Sequence, residues 1–152
     1  SQSLTDCSIA ADDRSATYDS DLSSTKTFIL SISDGETTAS ATKKISFLHK
    51  VYWGSAAEPE EYDSAFILSL TNSKLTATKS GSYSMTVGSG EYGYVATPTS
   101  FGMTASVWIG GFEVTLDNCG SINFTNASGN TSSFTIYRTG RQGLGSITME
   151  IK

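Results

Sequence analysis

The 152 residues suffice for one sizeable hydrophobic core or two small ones. Only 16% of them are Asp, Glu, Lys or Arg, and Ser, Thr and Gly fill the gap. The net charge of −5 excludes a nucleic-acid binder driven by phosphate neutralisation and disfavours an anionic membrane surface.

With 38% hydrophobic and 11% aromatic residues the chain has the apolar mass to fold, so its low charge does not signal disorder. No stretch approaches the roughly 18 consecutive apolar residues of a membrane helix, and no charged-then-apolar leader opens the chain. Membrane insertion is therefore not expected. The first residue is Ser1 rather than Met, and a piece cut from a longer protein is the expectation. Cys7 and Cys119 are the only cysteines; a long-range disulfide and two buried thiols both fit, and because so cysteine-poor a chain does not depend on staples, an oxidising compartment is not required.

In chain order, Phe28, Leu30 and Ile32 fall on one face of a strand over Thr27 to Ser33. The pair Asp34-Gly35 then turns the chain back through Ala39, Ala41, Ile45 and Phe47, as a tight turn with positive φ allows. About four strands fit into Ser1 to Phe47, short of the seven of an immunoglobulin-like sandwich. The composition shift near Lys50 marks a boundary between 1–47 and 48–152. From Glu60 to Leu70, Tyr62, Phe66, Ile67 and Leu70 recur at helical spacing behind Pro59 and early acidic residues, predicting a short helix.

Beyond it, Tyr83, Met85 and Val87, then Gly88-Ser89-Gly90, then Tyr92 and Tyr94 predict a second hairpin. Met103, Ala105, Val107 and Ile109 alternate into Gly110-Gly111, and Phe112, Val114 and Leu116 alternate back out, a third. Ile122 to Phe124 and Phe134 to Tyr137 form a last pair. The glycine-rich loop Thr139 to Gly145 leads to a closing strand through Ile147, Met149 and Ile151. The fold class is all-β, of immunoglobulin-like or β-sandwich architecture, with one short helix near 60–70.

Catalytic signals are absent. His49, the only histidine, has no nucleophile-elbow sequence to serve. Two cysteines and one histidine supply no spaced zinc set, and Glu58, Glu60, Glu61 and Asp63, or Asp12 and Asp13, lack the spacing of a calcium loop and read as solvated acidic faces. Glu91 with Glu113 is one of several chance carboxylate pairs open to a glycosidase reading. The loop Gly140 to Gly145, with Arg141 and Gln142, lacks the ending of a phosphate loop. Asn123, Asn126 and Asn130 each open a glycosylation triplet, which Ser/Thr-rich chains match by chance. Trp53, Trp108, Tyr52, Tyr92 and Tyr94 either stack on sugars or fill the core and interfaces. No catalytic residue, metal ligand or cofactor is assigned, and the ligand-binding residues are unknown at this level.

The segment KKISFLHKVYWG, Lys43 to Gly54, and the run Tyr62-Asp63-Ser64-Ala65-Phe66-Ile67 resemble a module of phage and prophage tail-associated proteins of gut bacteria. Gly90-Glu91-Tyr92-Gly93-Tyr94, Pro98 to Gly102, Gly110-Gly111-Phe112, Phe124 to Gly129, Ile136-Tyr137-Arg138 and Gly143-Leu144-Gly145 follow the same module in order. The resemblance covers Lys43 to Lys152. Upstream, Arg14 to Tyr18 and Phe28 to Gly35 resemble the closing strands of an immunoglobulin-like domain that often precedes it. These residues are structural glycines and aromatics, so no functional residue is carried over. The resemblance implies a virion structural protein of a tail, fibre or head appendage, assembled in the bacterial cytoplasm. Its expected partners are other virion proteins and further copies of itself, with a host-surface glycan as a candidate. The rival expectation is a bacterial cell-surface or secreted carbohydrate-binding β-sandwich domain.

Overall fold

The computed structural model describes residues 2–3, 25–33, 35–102 and 106–151, and the chain divides into two units, Ser1–Leu48 and His49–Lys152. Among the described residues the first unit holds three strands, β1 (Gln2–Ser3), β2 (Lys26–Ser33) and β3 (Thr38–Ile45), and residues 4–24 lie outside the described residues. β1 runs parallel to β2 and β3 antiparallel to it. Ser33 pairs with Thr38, which leaves a connection of residues 34–37 in place of the expected two-residue turn; Gly35 takes φ +97, and Asp34 lies outside the described residues. A two-residue turn would have set Lys26 opposite Lys43. The observed register gives Lys26 to Ile45 and Lys43 to Phe28, and so avoids a facing pair of like charges.

The second unit is built on one antiparallel sheet of eight strands. They are β4 (His49–Ala56), β5 (Asn72–Thr76), β6 (Gly81–Val87), β7 (Tyr92–Pro98), β8 (Ser106–Ile109), β9 (Phe112–Thr125), β10 (Thr131–Thr139) and β11 (Gly145–Ile151). Their order is β5-β4-β7-β10-β9-β8-β11-β6. The curl comes from β9. Its first residues pair with β8 and the remainder with β10, and near the middle Tyr137 faces Asn118 while Ile136 faces Gly120. Cys119 is thus the extra residue of a β-bulge, beside Gly120 at φ +101, and a bulge bends and twists its strand.

Two cores result. Val51, Tyr83, Met85, Val87, Val95, Val107, Leu116, Tyr137, Met149 and Ile151 fill the inside of the curl. On the other face of β4, β7 and β10, Tyr52, Phe66, Ile67, Leu70, Tyr94, Ala96, Phe124, Phe134 and Ile136 pack together. β7 is consequently buried from Gly93 through Pro98 without alternation, as a strand covered on both faces must be. Among the described residues the architecture is all-β with one short α-helix.

That helix, α1 (Ser64–Ser69), starts later than the pattern from Glu60 suggests. The Asp63 carboxylate accepts from Phe66 N at 2.7 Å and sets the first turn. Tyr62 stays outside the helix, edge-on to Phe66 at 5.3 Å. No helix among the described residues is long and apolar enough to cross a membrane.

The hairpin expected over Tyr83 to Tyr94 is not one. Glu91 N does donate to Gly88 O at 3.1 Å, but β6 pairs only with β11, and β7 pairs with β4 and β10. Tyr83, Met85 and Val87 face Val95 through the inner core, so the turn joins two layers. By contrast Gly110-Gly111 forms the tight loop its sequence predicts, with φ +58 and +87 and Ile109 paired to Phe112.

The sheet's two ends, β5 and β6, do not pair. Side chains bridge the gap instead: Trp53 Nε1 donates to Ser84 O at 2.9 Å, and Lys74 Nζ lies 4.4 Å from the Tyr83 ring centroid. An inward-pointing lysine on an edge strand also discourages edge-to-edge pairing with other chains.

Candidate functional site

Strand alternation sends Tyr83, Met85, Val87, Met149 and Ile151 inward and leaves Ser84, Thr86, Ser146 and Thr148 exposed on the outer face of β6 and β11. Register puts these hydroxyls in two facing pairs. Ser84 Oγ and Thr148 Oγ1 are 2.8 Å apart, and Thr86 Oγ1 and Ser146 Oγ are 3.3 Å apart. With Asn72 of β5 they surround a shallow, open trough of about 470 Å³. Its lining carries no charge, so it offers neutral donors and acceptors.

The same face continues across the next two strands. Glu150 of β11 pairs with Ser82 on one side and Trp108 on the other, and Trp108 pairs with Glu113 of β9. Val107 is fully buried, so alternation turns its neighbour Trp108 outward, where it is half-buried between two exposed carboxylates. The transverse row Ser82–Glu150–Trp108–Glu113 therefore places an indole between two acceptor groups, beside the hydroxyl pairs.

A second polar assembly lies on the same face of β9, farther along the sheet at β10 and β7. Arg138 pairs across the strands with Tyr94 and with Asp117. Its guanidinium binds Asp117 at 3.0 Å and Glu58, and stacks on Tyr92 with 4.3 Å from Cζ to the ring centroid. Burial alone would disfavour the charge, but Asp117 and Glu58 outweigh it and hold the guanidinium above its ordinary value. Tyr62 is held well above the usual phenol range by burial first, then by Cys119 and Tyr94. Burial raises Tyr94 too, with Tyr62 and Arg138 opposing. Cys119 is a free, half-buried thiol; Cys7 lies outside the described residues. This assembly ties residues 58–63 to β7, β9 and β10 through ion pairs and ring contacts.

The other residues singled out in the sequence have local partners. His49 meets the edge of Phe101 at 5.2 Å. Glu91 accepts from Ser55 Oγ and from Gly88 N at 3.2 Å, bracing the β6–β7 turn, and is not paired with Glu113. Gly143 N donates to Glu91 O at 3.1 Å, so the glycine-rich loop packs on that turn. Glu58 serves Arg138 and Asp63 caps α1, and no group of three metal-ligating side chains converges among the described residues. Asp12 and Asp13 lie outside those residues. Asn126 accepts from Ser128 N and Asn130 N, closing the β9–β10 turn.

Of the five aromatics considered for sugar stacking, Tyr52 and Tyr94 are core residues. Trp53 bridges the seam, Tyr92 carries Arg138, and Trp108 sits half-buried on the outer face of β8. Comparisons with protein-family models, with curated proteins and with solved structures gave no match.

Proposed function

We propose that the chain is a non-enzymatic structural module of a bacteriophage particle, carried on a tail, fibre or head appendage, where it serves assembly and attachment to the host surface. One observation supports contact as its mode of action: the outer face of β6 and β11 presents paired, exposed hydroxyls around an uncharged trough. A neutral trough of this kind exchanges its hydrogen bonds with water for bonds to a partner without the desolvation cost of charges. The assignment to a phage particle rests on the resemblance of Lys43 to Lys152.

A bacterial surface or secreted carbohydrate-binding domain is the second reading, favoured by Trp108 on that same face. Density-gradient fractionation of a phage-producing culture separates the two. Peptides of this chain are expected to band with the capsid protein. Their restriction to the cell envelope or culture fluid would overturn the particle assignment.

A further inference from the structure

Where residues 58–63 meet β7 and β10, three side chains bring polar atoms together beneath the surface. Tyr62 Oη, Tyr94 Oη and Arg138 Nε are each buried, and none has a hydrogen-bond partner among the described residues. Arg138 stands opposite Tyr94 across the strands, and the Tyr62 and Tyr94 rings lie 6.1 Å apart between centroids. The other two guanidinium nitrogens are committed, Nη1 to Glu58 and Nη2 to Asp117, so Nε–H is the donor left over. Phe66 packs edge-on against both tyrosine rings, at 5.3 Å from Tyr62 and 4.9 Å from Tyr94, and closes the apolar side. Folded proteins leave few buried polar atoms unbonded, because each one keeps the full cost of its lost hydration. Three at one locus call for a common partner.

We propose that Tyr62 Oη, Tyr94 Oη and Arg138 Nε together hold one internal water molecule, which joins the 58–63 segment to the sheet. Arg138 Nε can only donate, so the ligand must accept there, whereas each phenol can donate or accept. Burial holds both phenols above their ordinary value, so both keep their protons at neutral pH. A water that accepts from Nε–H and from one phenol, and donates to the other, makes the three bonds usual for a buried water.

Other small ligands fit less well. A metal cation would face a guanidinium that cannot lose its proton. A halide could accept from all three groups, but Asp117 and Glu58 already set two negative charges against the one guanidinium, and a further anion would be repelled. The aromatic rings in contact around the locus favour the smallest neutral ligand.

The test is a high-resolution crystal structure of the full chain, grown once in chloride and once in bromide. One ordered solvent peak within hydrogen-bond distance of all three atoms is expected, with no anomalous signal there in bromide. In the double variant Tyr62→Phe, Tyr94→Phe, which keeps both rings, the peak should be lost, since one remaining partner does not hold a buried water. Should that variant fail to fold, the wild-type chloride and bromide structures carry the test. Lack of a solvent peak, a bromide anomalous peak, direct bonds among the three atoms, or a peak unchanged in the folded double variant would each overturn the proposal.

Discussion

Trp53 donates its indole N–H to the carbonyl oxygen of Ser84 at 2.9 Å, joining β4 to β6 where the sheet's two ends do not pair. The ring also packs edge-on against Tyr83, 5.3 Å between centroids, so one side chain supplies both a polar and an apolar link across the seam. Trp53→Phe keeps a ring but loses the donor. The expected loss is about 1–2 kcal/mol of stability, read as a lower urea midpoint at unchanged slope. Trp53→Ala should cost more, because it also opens a cavity against the inner core.

Asp63 sets the start of α1 through its bond to Phe66 N. Asp63→Ala should destabilise the protein by about 1 kcal/mol, and Asp63→Ser by less, since serine also caps. Thermal melts of the three proteins provide the check.

At the β8–β9 turn, both glycines hold positive φ. Gly111→Ala forces an alanine into a left-handed conformation and should cost about 1–2 kcal/mol. Gly110→Asn should be close to neutral, because Asn-Gly suits this two-residue loop. Equal losses from the two substitutions in denaturant melts would contradict the turn assignment.

Arg138 binds Asp117 and Glu58 with two different nitrogens while lying on Tyr92. A lysine keeps the charge but lacks the planar fork, so Arg138→Lys should lose about 1–2 kcal/mol. Both carboxylates are about half exposed, and part of their attraction is screened by solvent. The wild type should consequently lose only part of its advantage over Arg138→Lys in 1 M salt.

Alkali should unfold the protein. Burial raises the phenol pKa values of Tyr52, Tyr62, Tyr83, Tyr94 and Tyr137 above their ordinary value of 10.0. Below that value both states keep these protons, so the tyrosines contribute no pH dependence. Above it the unfolded chain releases protons that the folded chain retains, and stability falls as pH rises. Urea midpoints measured from pH 8 to 11 should drop above pH 10, with tyrosinate absorbance following unfolding.

Local signals in the sequence located most strands, and long-range register decided the rest. Gly110-Gly111 and the pairing of Val107 and Ile109 with Val114 and Phe112 read correctly because a two-residue turn is settled by its own backbone needs, while Met103 and Ala105 lie outside the described residues. The turn at Gly88 to Glu91 misled for the complementary reason: turn chemistry reports a chain reversal, not whether the two strands then pair or stack. β5 escaped notice because Leu75, its only large apolar side chain, is 63% exposed. Gly120 within a strand was the available sign of the bulge. It lay between two segments that read as separate strands and that the structure joins into β9. The outer-face row was hidden most completely. Trp108 and Glu113 were each visible as candidates, but only the pairing of β11 with β8 brings Glu150 beside them.

The most direct measurement of the contact role is particle assembly and host adsorption with Thr86→Lys. Thr86 is exposed, so the fold should tolerate the change, with a melting temperature close to wild type. A charge in the neutral trough should reduce incorporation or adsorption on the order of tenfold. Particles that carry the folded variant at wild-type levels and adsorb at the wild-type rate would contradict the assignment of this face to contact.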